Sequence, residues 1–268
     1  MRRYACLLFG IFVAFQLSAC SEQPQTAQPN HSVSAAKSEL LIYCGITMIK
    51  PMSEIAALLE QQEDCTVRIT KGGSGNLMKS ILHNQVGDLY LPGSDKYFAI
   101  IEEKSPGLVT NTVAVGENRA AIMVQKGNPK KIPPVLSSLA DPAYAVVIGN
   151  PDSGSIGKET GKILKKKGIY AAVMKNAMYL TTDSKDLVKA IIRKEADIVI
   201  NWFAASTWGS NPTHIDIIEI DRQYAQPKKL LLGLLKFSKQ QELAGKFMQL
   251  ASSETGQQIF KKHGLWFD

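Results

Sequence analysis

Four times in this chain an apolar run gives way to a helical pattern through short polar or glycine residues. They are residues 45–47 (Gly-Ile-Thr), 72–76 (Gly-Gly-Ser-Gly-Asn), 153–157 (Ser-Gly-Ser-Ile-Gly) and 182–184 (Thr-Asp-Ser). Each leads into a segment whose apolar residues recur at helical spacing. The first N–H groups of a helix have no partner within it, and the positive end of the helix dipole lies there, so such a terminus favours an anion. Glycine lets backbone approach a ligand closely, and short hydroxyl side chains add donors. One such turn is an ordinary cap. Four in one chain describe a cleft that surrounds a small anion with N–H and O–H groups and needs no neutralising cation.

Other chemistries fit these residues less well. The run Gly154-Ser155-Ile156-Gly157-Lys158-Glu159 has Asp152 where a phosphate loop needs its first glycine, and Glu159 where it needs the magnesium-binding Ser/Thr. His31, His83, His214 and His263 are scattered without metal-ligand spacing. No Gly-x-Ser-x-Gly elbow is present. Asp88 and Asp95 could form a carboxylate pair, but turn and cap roles suit them better. Neither catalysis nor a cofactor is expected.

The elements that would position the four turns alternate along the chain. Leu40-Leu41-Ile42-Tyr43-Cys44 is a continuous apolar run, which predicts a buried parallel strand. Pro51 suits a helix start, and Met52, Ile55, Ala56 and Leu59 follow at helical spacing. A strand over 66–70, a helix carrying Leu77 and Ile81, a strand over 88–91 and a helix over 96–103 complete a β-α-β-α-β series, which implies a parallel sheet. The apolar run 118–124 passes into a second region. There the pattern resumes with strands at 145–148, 177–180 and 197–200, and helices from 156 or 157 to 167 and over 187–192. Residues 215–220 lead back, followed by a strand at 230–235 and helices at 240–250 and 253–262. Ligands of open α/β sheets bind beyond the carboxyl ends of strands, where the four turns would gather.

The ends and the composition set the address. Arg2 and Arg3, a short apolar core and Leu17-Ser18-Ala19-Cys20 form a lipoprotein signal over residues 1–20, with Cys20 as the lipid-bearing first residue. Residues 21–38, rich in Ser, Gln, Pro and Ala, read as a flexible tether. The net charge of +7 falls to +5 once the two arginines leave. This mild excess suits an anionic ligand and, without a basic run interleaved with aromatics, does not indicate nucleic acid. Cys44 ends one strand and Cys65 begins the next, so parallel pairing would hold them about 10 Å or more apart, too far for a disulfide.

Over residues 39–268 the sequence resembles a type II periplasmic solute-binding protein, nearest to the molybdate-binding family of ABC importers. Tyr43-Cys44-Gly45-Ile46-Thr47 stands at that family's first binding loop and Gly72-Gly73-Ser74-Gly75-Asn76-Leu77 at its second. Gly87-Asp88-Leu89-Tyr90, Asn118-Arg119, Lys126-Gly127-Asn128-Pro129, Gly149-Asn150-Pro151 and Ser252-Ser253-Glu254-Thr255-Gly256-Gln257 with His263-Gly264-Leu265 match in order. The resemblance implies two doubly wound α/β domains joined by a hinge, a Venus flytrap. Domain I would comprise 39–119 plus 219–268, and domain II 120–218. It assigns ligand contacts to Thr47 and Ser74 from domain I and to backbone N–H groups near Ile156 and Ser184 from domain II. Trp202 stands where that family commonly has a tyrosine whose hydroxyl reaches the oxyanion; an indole offers one N–H and no hydroxyl.

The implied protein is an extracytoplasmic monomer, lipid-anchored at Cys20, that binds an oxyanion such as molybdate or tungstate, or else phosphate or sulfate, and delivers it to an ABC permease. A sensor lipoprotein reporting to a membrane kinase would use the same fold. An exported hydrolase would need a nucleophile–base pair that the sequence lacks. Cys44 beside the first loop also leaves room for a thiol-seeking ligand.

Overall fold

The computed structural model describes residues 37–265. The signal, Cys20 and most of the tether lie outside the described residues; Ser38, placed in the tether by composition, already belongs to a strand. The first sheet is built from β1 (Ser38–Gly45), β2 (Cys65–Gly72), β3 (Leu89–Leu91), β4 (Val109–Asn118) and β10 (Lys228–Leu235), in the order β2-β1-β3-β10-β4. The second contains β5 (Ala120–Gln125), β6 (Val146–Gly149), β7 (Ala177–Thr181), β8 (Ile198–Trp202) and β9 (Ile215–Glu219), in the order β7-β6-β8-β5-β9. Among the described residues no helix is long and apolar enough to cross a membrane.

The three strands of the β-α-β-α-β series are parallel, as expected, and both sheets are completed by antiparallel strands, which makes them mixed. β1 runs parallel to β2 and β3, but β10 is antiparallel to β3 and β4. In the second sheet β6 is parallel to β7 and β8, and β5 is antiparallel to β8 and β9. The departures arise from strands next to the crossings between sheets. The apolar run read over 118–124 breaks at Arg119, where β4 of one sheet gives way to β5 of the other. The return runs through residues 220–227, after β9 has paired at the edge of the second sheet. Arg119 and Glu219, one from each crossing, form an ion pair at 3.0 Å.

β4 was not evident in the sequence because Val109-Thr110-Asn111-Thr112-Val113 lies at a sheet edge and is largely exposed, so no apolar pattern marks it. The short helix α5 (Tyr170–Asn176) was missed as well.

Helices cover both faces of each sheet, as buried apolar strands require. On one face of the first sheet Leu40, Ile42 and Cys44 pack against Met52, Ile55 and Leu59 of α1 (Ile49–Gln62), Phe247 of α7 (Gln241–Ser252) and Phe260 of α8 (Glu254–Lys262). On the other, Tyr43 and Tyr90 meet Leu77 and Ile81 of α2 (Ser74–Asn84) and Tyr97 and Ile101 of α3 (Lys96–Lys104). In the second sheet, strands 146–148 and 198–200 are buried with Ile163 and Leu164 of α4 (Ser155–Lys167) and Leu187 and Ile191 of α6 (Ser184–Ile192).

Register keeps the two body cysteines apart. Cys65 lies opposite Ser38, whereas Cys44 pairs with Lys71, so the thiols sit about 20 Å apart along the strands. Both are free and buried. Asp88 serves a turn: its carboxylate accepts from Leu41 N at 2.7 Å and from the Ser238 hydroxyl at 2.6 Å. It forms no pair with Asp95.

Candidate functional site: a donor-lined cavity between the two sheets

The carboxyl ends of β1, β2 and β3 and those of β6, β7 and β8 face one cavity. It is lined by Gly45, Ile46, Thr47, Gly72, Gly73, Ser74 and Gly93 from the first sheet's loops, and by Gly154, Ser155, Ile156, Asp183, Ser184 and Trp202 from the second's. Thr47, Ser74, Ile156, Ser184 and Trp202 are thus brought together, each no more than 2 % exposed. Space for the centre of a water-sized sphere amounts to about 10 Å³, roughly one water. The two halves stand closed on each other.

Three of the four turns leave their helix termini uncapped by side chains. Gly45 precedes the first turn at Ile46–Met48, Gly73 precedes α2 and Gly154 precedes α4, and none provides a side-chain capping bond. Glycine has no side chain to occupy the free N–H groups, so those not bonded elsewhere remain available to a ligand; in α2, Asn76 N already donates to Ser153 O at 3.3 Å. The fourth turn differs. Asp183 caps α6 with its own carboxylate, accepting from Lys185 N at 2.8 Å and Asp186 N at 3.3 Å. Two of the donors that a bare terminus would offer are therefore already engaged.

The hydroxyl groups share one arrangement. Ser74 Oγ accepts from Gly93 N at 3.0 Å, Ser155 Oγ accepts from Trp202 Nε1 at 3.0 Å, and Thr47 Oγ1 accepts from Asn118 Nδ2 at 3.4 Å. A hydroxyl has one hydrogen to give; with a buried N–H directed at its oxygen, that hydrogen is the part left to donate. Thr47 Oγ1 also lies 2.8 Å from Met48 Sδ, a weak acceptor. Of the four hydroxyls that line the cavity, those of Ser74 and Ser155 are thus left to donate into it, while Thr47 gives its hydrogen to Met48 Sδ. No lysine, arginine or histidine lines the cavity, and Asp183 is its one charged residue.

Second contacts hold this set in place. Tyr90 donates to Ser74 O at 2.7 Å, Asn201 Nδ2 to Ser184 O at 2.9 Å, and Trp202 N to Asn201 Oδ1 at 2.8 Å. Burial drives the Tyr90 pKa well above its ordinary value, so the phenol keeps its proton. Trp202 does not aim its indole N–H freely at the cavity centre, since Ser155 takes it. Of the two serines at 153 and 155, only Ser155 lines the cavity; Ser153 donates to Thr182 O at 3.0 Å and ties two loops together.

Gly93, Ser155 and Asn118 were not singled out as site residues. Pro92-Gly93 directly after an apolar strand was the available signal for the first, since it forms a turn at the strand's carboxyl end. Asn118 carries no local signal: it reaches Thr47 across 71 residues of chain. Cys44 is fully buried outside the cavity lining, and burial raises its pKa strongly, so it is a protonated thiol unsuited to capturing a ligand.

Residues 40–265 match the family described as bacterial extracellular solute-binding protein. The putative ABC transporter substrate-binding lipoprotein YvgL of Bacillus subtilis is 21 % identical, with 98 % of each chain covered. Among solved structures, the periplasmic molybdate-binding protein of Azotobacter vinelandii superposes with a TM-score of 0.71 at 14 % identity, covering 85 % of this chain and 99 % of that one. A periplasmic thiamin-binding protein superposes with a TM-score of 0.73 at 16 % identity, covering 87 % and 84 %. Such identities establish the fold, two α/β domains of the type II periplasmic binding protein kind. With nearly all of its described length matched, the chain belongs to the family of bacterial extracellular solute-binding proteins.

Proposed function

We propose that this protein captures a small tetrahedral oxyanion between two lobes, 39–119 with 219–268 and 120–218, and delivers it to an ABC permease while anchored by lipid at Cys20. The observation that carries the reading is the orientation of Ser74 and Ser155, each with its oxygen engaged by a buried N–H and its proton free. With uncapped N–H groups at Gly45, Gly73 and Gly154, they make a cavity of donors, the complement of a ligand that is all acceptor. Transport is the role given in the name of the Bacillus relative.

An oxyanion without a proton to donate fits best, because the hydroxyls need acceptors and the one carboxylate, Asp183, is already engaged by Lys185 N and Asp186 N at its own helix cap. Molybdate, tungstate and sulfate are therefore the leading ligands, ahead of hydrogen phosphate. The test is a thermal-shift panel of molybdate, tungstate, sulfate, phosphate and arsenate at pH 7. A ligand bound only by the native state at 100 times its dissociation constant adds about 2.7 kcal/mol. We expect a rise in melting temperature with molybdate or tungstate that shrinks in Ser74→Ala. No response to any of the five sinks the reading.

A further inference from the structure

The loop that opens α2 holds more glycine than its own backbone requires. Gly73 has φ −66° and ψ 134°, open to any residue, and Gly75 lies inside the helix. Neither they nor Gly93 have positive φ. The reason for glycine lies in the other lobe. A Cβ on Gly73 would strike Ser153 O and come within 2.8 Å of Thr182 O. On Gly75 it would meet Asp152 O at 2.9 Å and Ser153 O at 3.1 Å, and on Gly93 it would strike the Ser155 hydroxyl. Real Cβ atoms essentially never come within 3.0 Å of such atoms. At Gly73 and Gly75 the obstructing atoms are carbonyl oxygens, which cannot swing aside as a side chain can.

The two surfaces also bond directly, Asn76 N donating to Ser153 O at 3.3 Å. Other glycines of the chain behave differently. A Cβ on Gly157 would collide with Asn150 within the second lobe, and one on Gly256 with Leu250 and Ala251 within the first. Those positions serve folding, whereas the seam positions leave their own lobe unobstructed.

We propose that Gly73, Gly75 and Gly93 set the gap between the closed lobes and so determine the size of ligand the cavity accepts. Gly73 and Gly93 line the cavity themselves. Adding one methyl group at the seam holds the jaws apart, lengthens the contacts from Ser155 and Ile156 to anything held by Thr47 and Ser74, and relaxes selection against larger ligands. This rests on reading the cavity as the ligand site.

The experiment uses Gly75→Ala and Gly73→Ala in the full mature chain. Alanine is the better helix former at position 75, so the ligand-free melting temperature should hold or rise. Calorimetric titration with molybdate should show affinity lowered about tenfold or more, the scale of one over-packed methyl, and the scattering radius of the molybdate-loaded variant should exceed that of the loaded wild type. Wild-type affinity and compaction in both variants overturn the proposal. Loss of fold in both also overturns it, since that places the conflict inside the first lobe.

A ligand-independent arm separates this inference from the oxyanion reading. An Asn76→Cys/Ser153→Cys pair, oxidised without ligand, should cross-link across the seam, and adding Gly75→Ala should lower the yield. If the wild type binds none of the oxyanions, the ligand class fails while the cross-linking result still decides the seam; an unchanged yield overturns it.

Discussion

At the scale of single residues, Asn118 illustrates how a side chain outside the cavity sets what the cavity offers. It is fully buried, its Nδ2 points at Thr47 Oγ1, and its Oδ1 has no partner among the described residues. A buried orphan acceptor costs free energy, so an apolar replacement of similar volume loses one hydrogen bond but removes that cost. We expect Asn118→Leu to leave the melting temperature nearly unchanged while weakening molybdate binding about fivefold, the scale of one hydrogen bond. If Asn118 acts through Thr47, the effect vanishes in a Thr47→Val background, which calorimetric titration of the four variants measures. Trp202 follows the same logic. Its size suggests a steric filter, yet its donated bond to Ser155 makes it equally a part of the donor set.

At the scale of elements, α8 is held against α1 by a polar clasp at its end. Glu54 of α1 meets His263 Nε2 at 2.7 Å and Lys262 Nζ at 3.1 Å. The hydrogen bond with His263, then that with Lys262, holds the Glu54 carboxyl below its ordinary value of 4.5. A carboxylate with a lowered folded-state pKa contributes stability that is full above its unfolded value and is lost as pH falls through the folded one. Acid unfolding monitored below about pH 4.5 should therefore start at higher pH in the wild type than in Glu54→Gln relative to each protein's neutral stability. The neutral cost of Glu54→Gln should stay within about 1 kcal/mol, since the pair is largely solvated. Elements were the scale most legible in the sequence: strands such as 40–44 and 197–200 are continuous apolar runs, and α2 and α6 show helical periodicity. β4 escaped because an exposed edge strand needs no apolar face, and the antiparallel pairings of β10 and β5 escaped because they depend on where the chain crosses between sheets.

At the scale of the molecule, the two lobes meet through charge as well as through the glycine seam. Glu159 of α4 pairs with Lys228 of β10 at 3.0 Å, with side chains only 6 % and 15 % exposed, and Lys158 sits over the ring of Tyr97, 5.2 Å from its centroid. Beside them Lys162 faces Lys96 across the interface. Partial desolvation, then the Lys96 ammonium, lowers the pKa of this exposed lysine from 10.5 to about 8, with Lys228 adding to this and Glu159 opposing it. A lysine with a depressed pKa in the closed form binds fewer protons there than when the lobes part, so closure is penalised below about pH 8 and favoured as pH rises towards 10.5. Scattering at pH 7, 8 and 9 should show a more compact wild type with rising pH, and Lys162→Gln should flatten that dependence.

Local order was written in the chain. Apolar runs made strands, helical spacing made helices, and glycine with hydroxyl residues after each strand marked the turns, because these depend on neighbours a few residues away. That the turns carry backbone and hydroxyl donors was legible for the same reason. Which donors are free was decided only by the fold: Ser74 meets Gly93 19 residues on, Ser155 meets Trp202 47 residues on, and Thr47 meets Asn118 71 residues on. The width of the cavity was likewise beyond the reach of sequence, since Gly73 and Gly75 are glycine for the sake of carbonyls on the opposite lobe. Hydrogen bonds and van der Waals contacts act over a few ångströms, and only the tertiary structure brings those distant partners within that range.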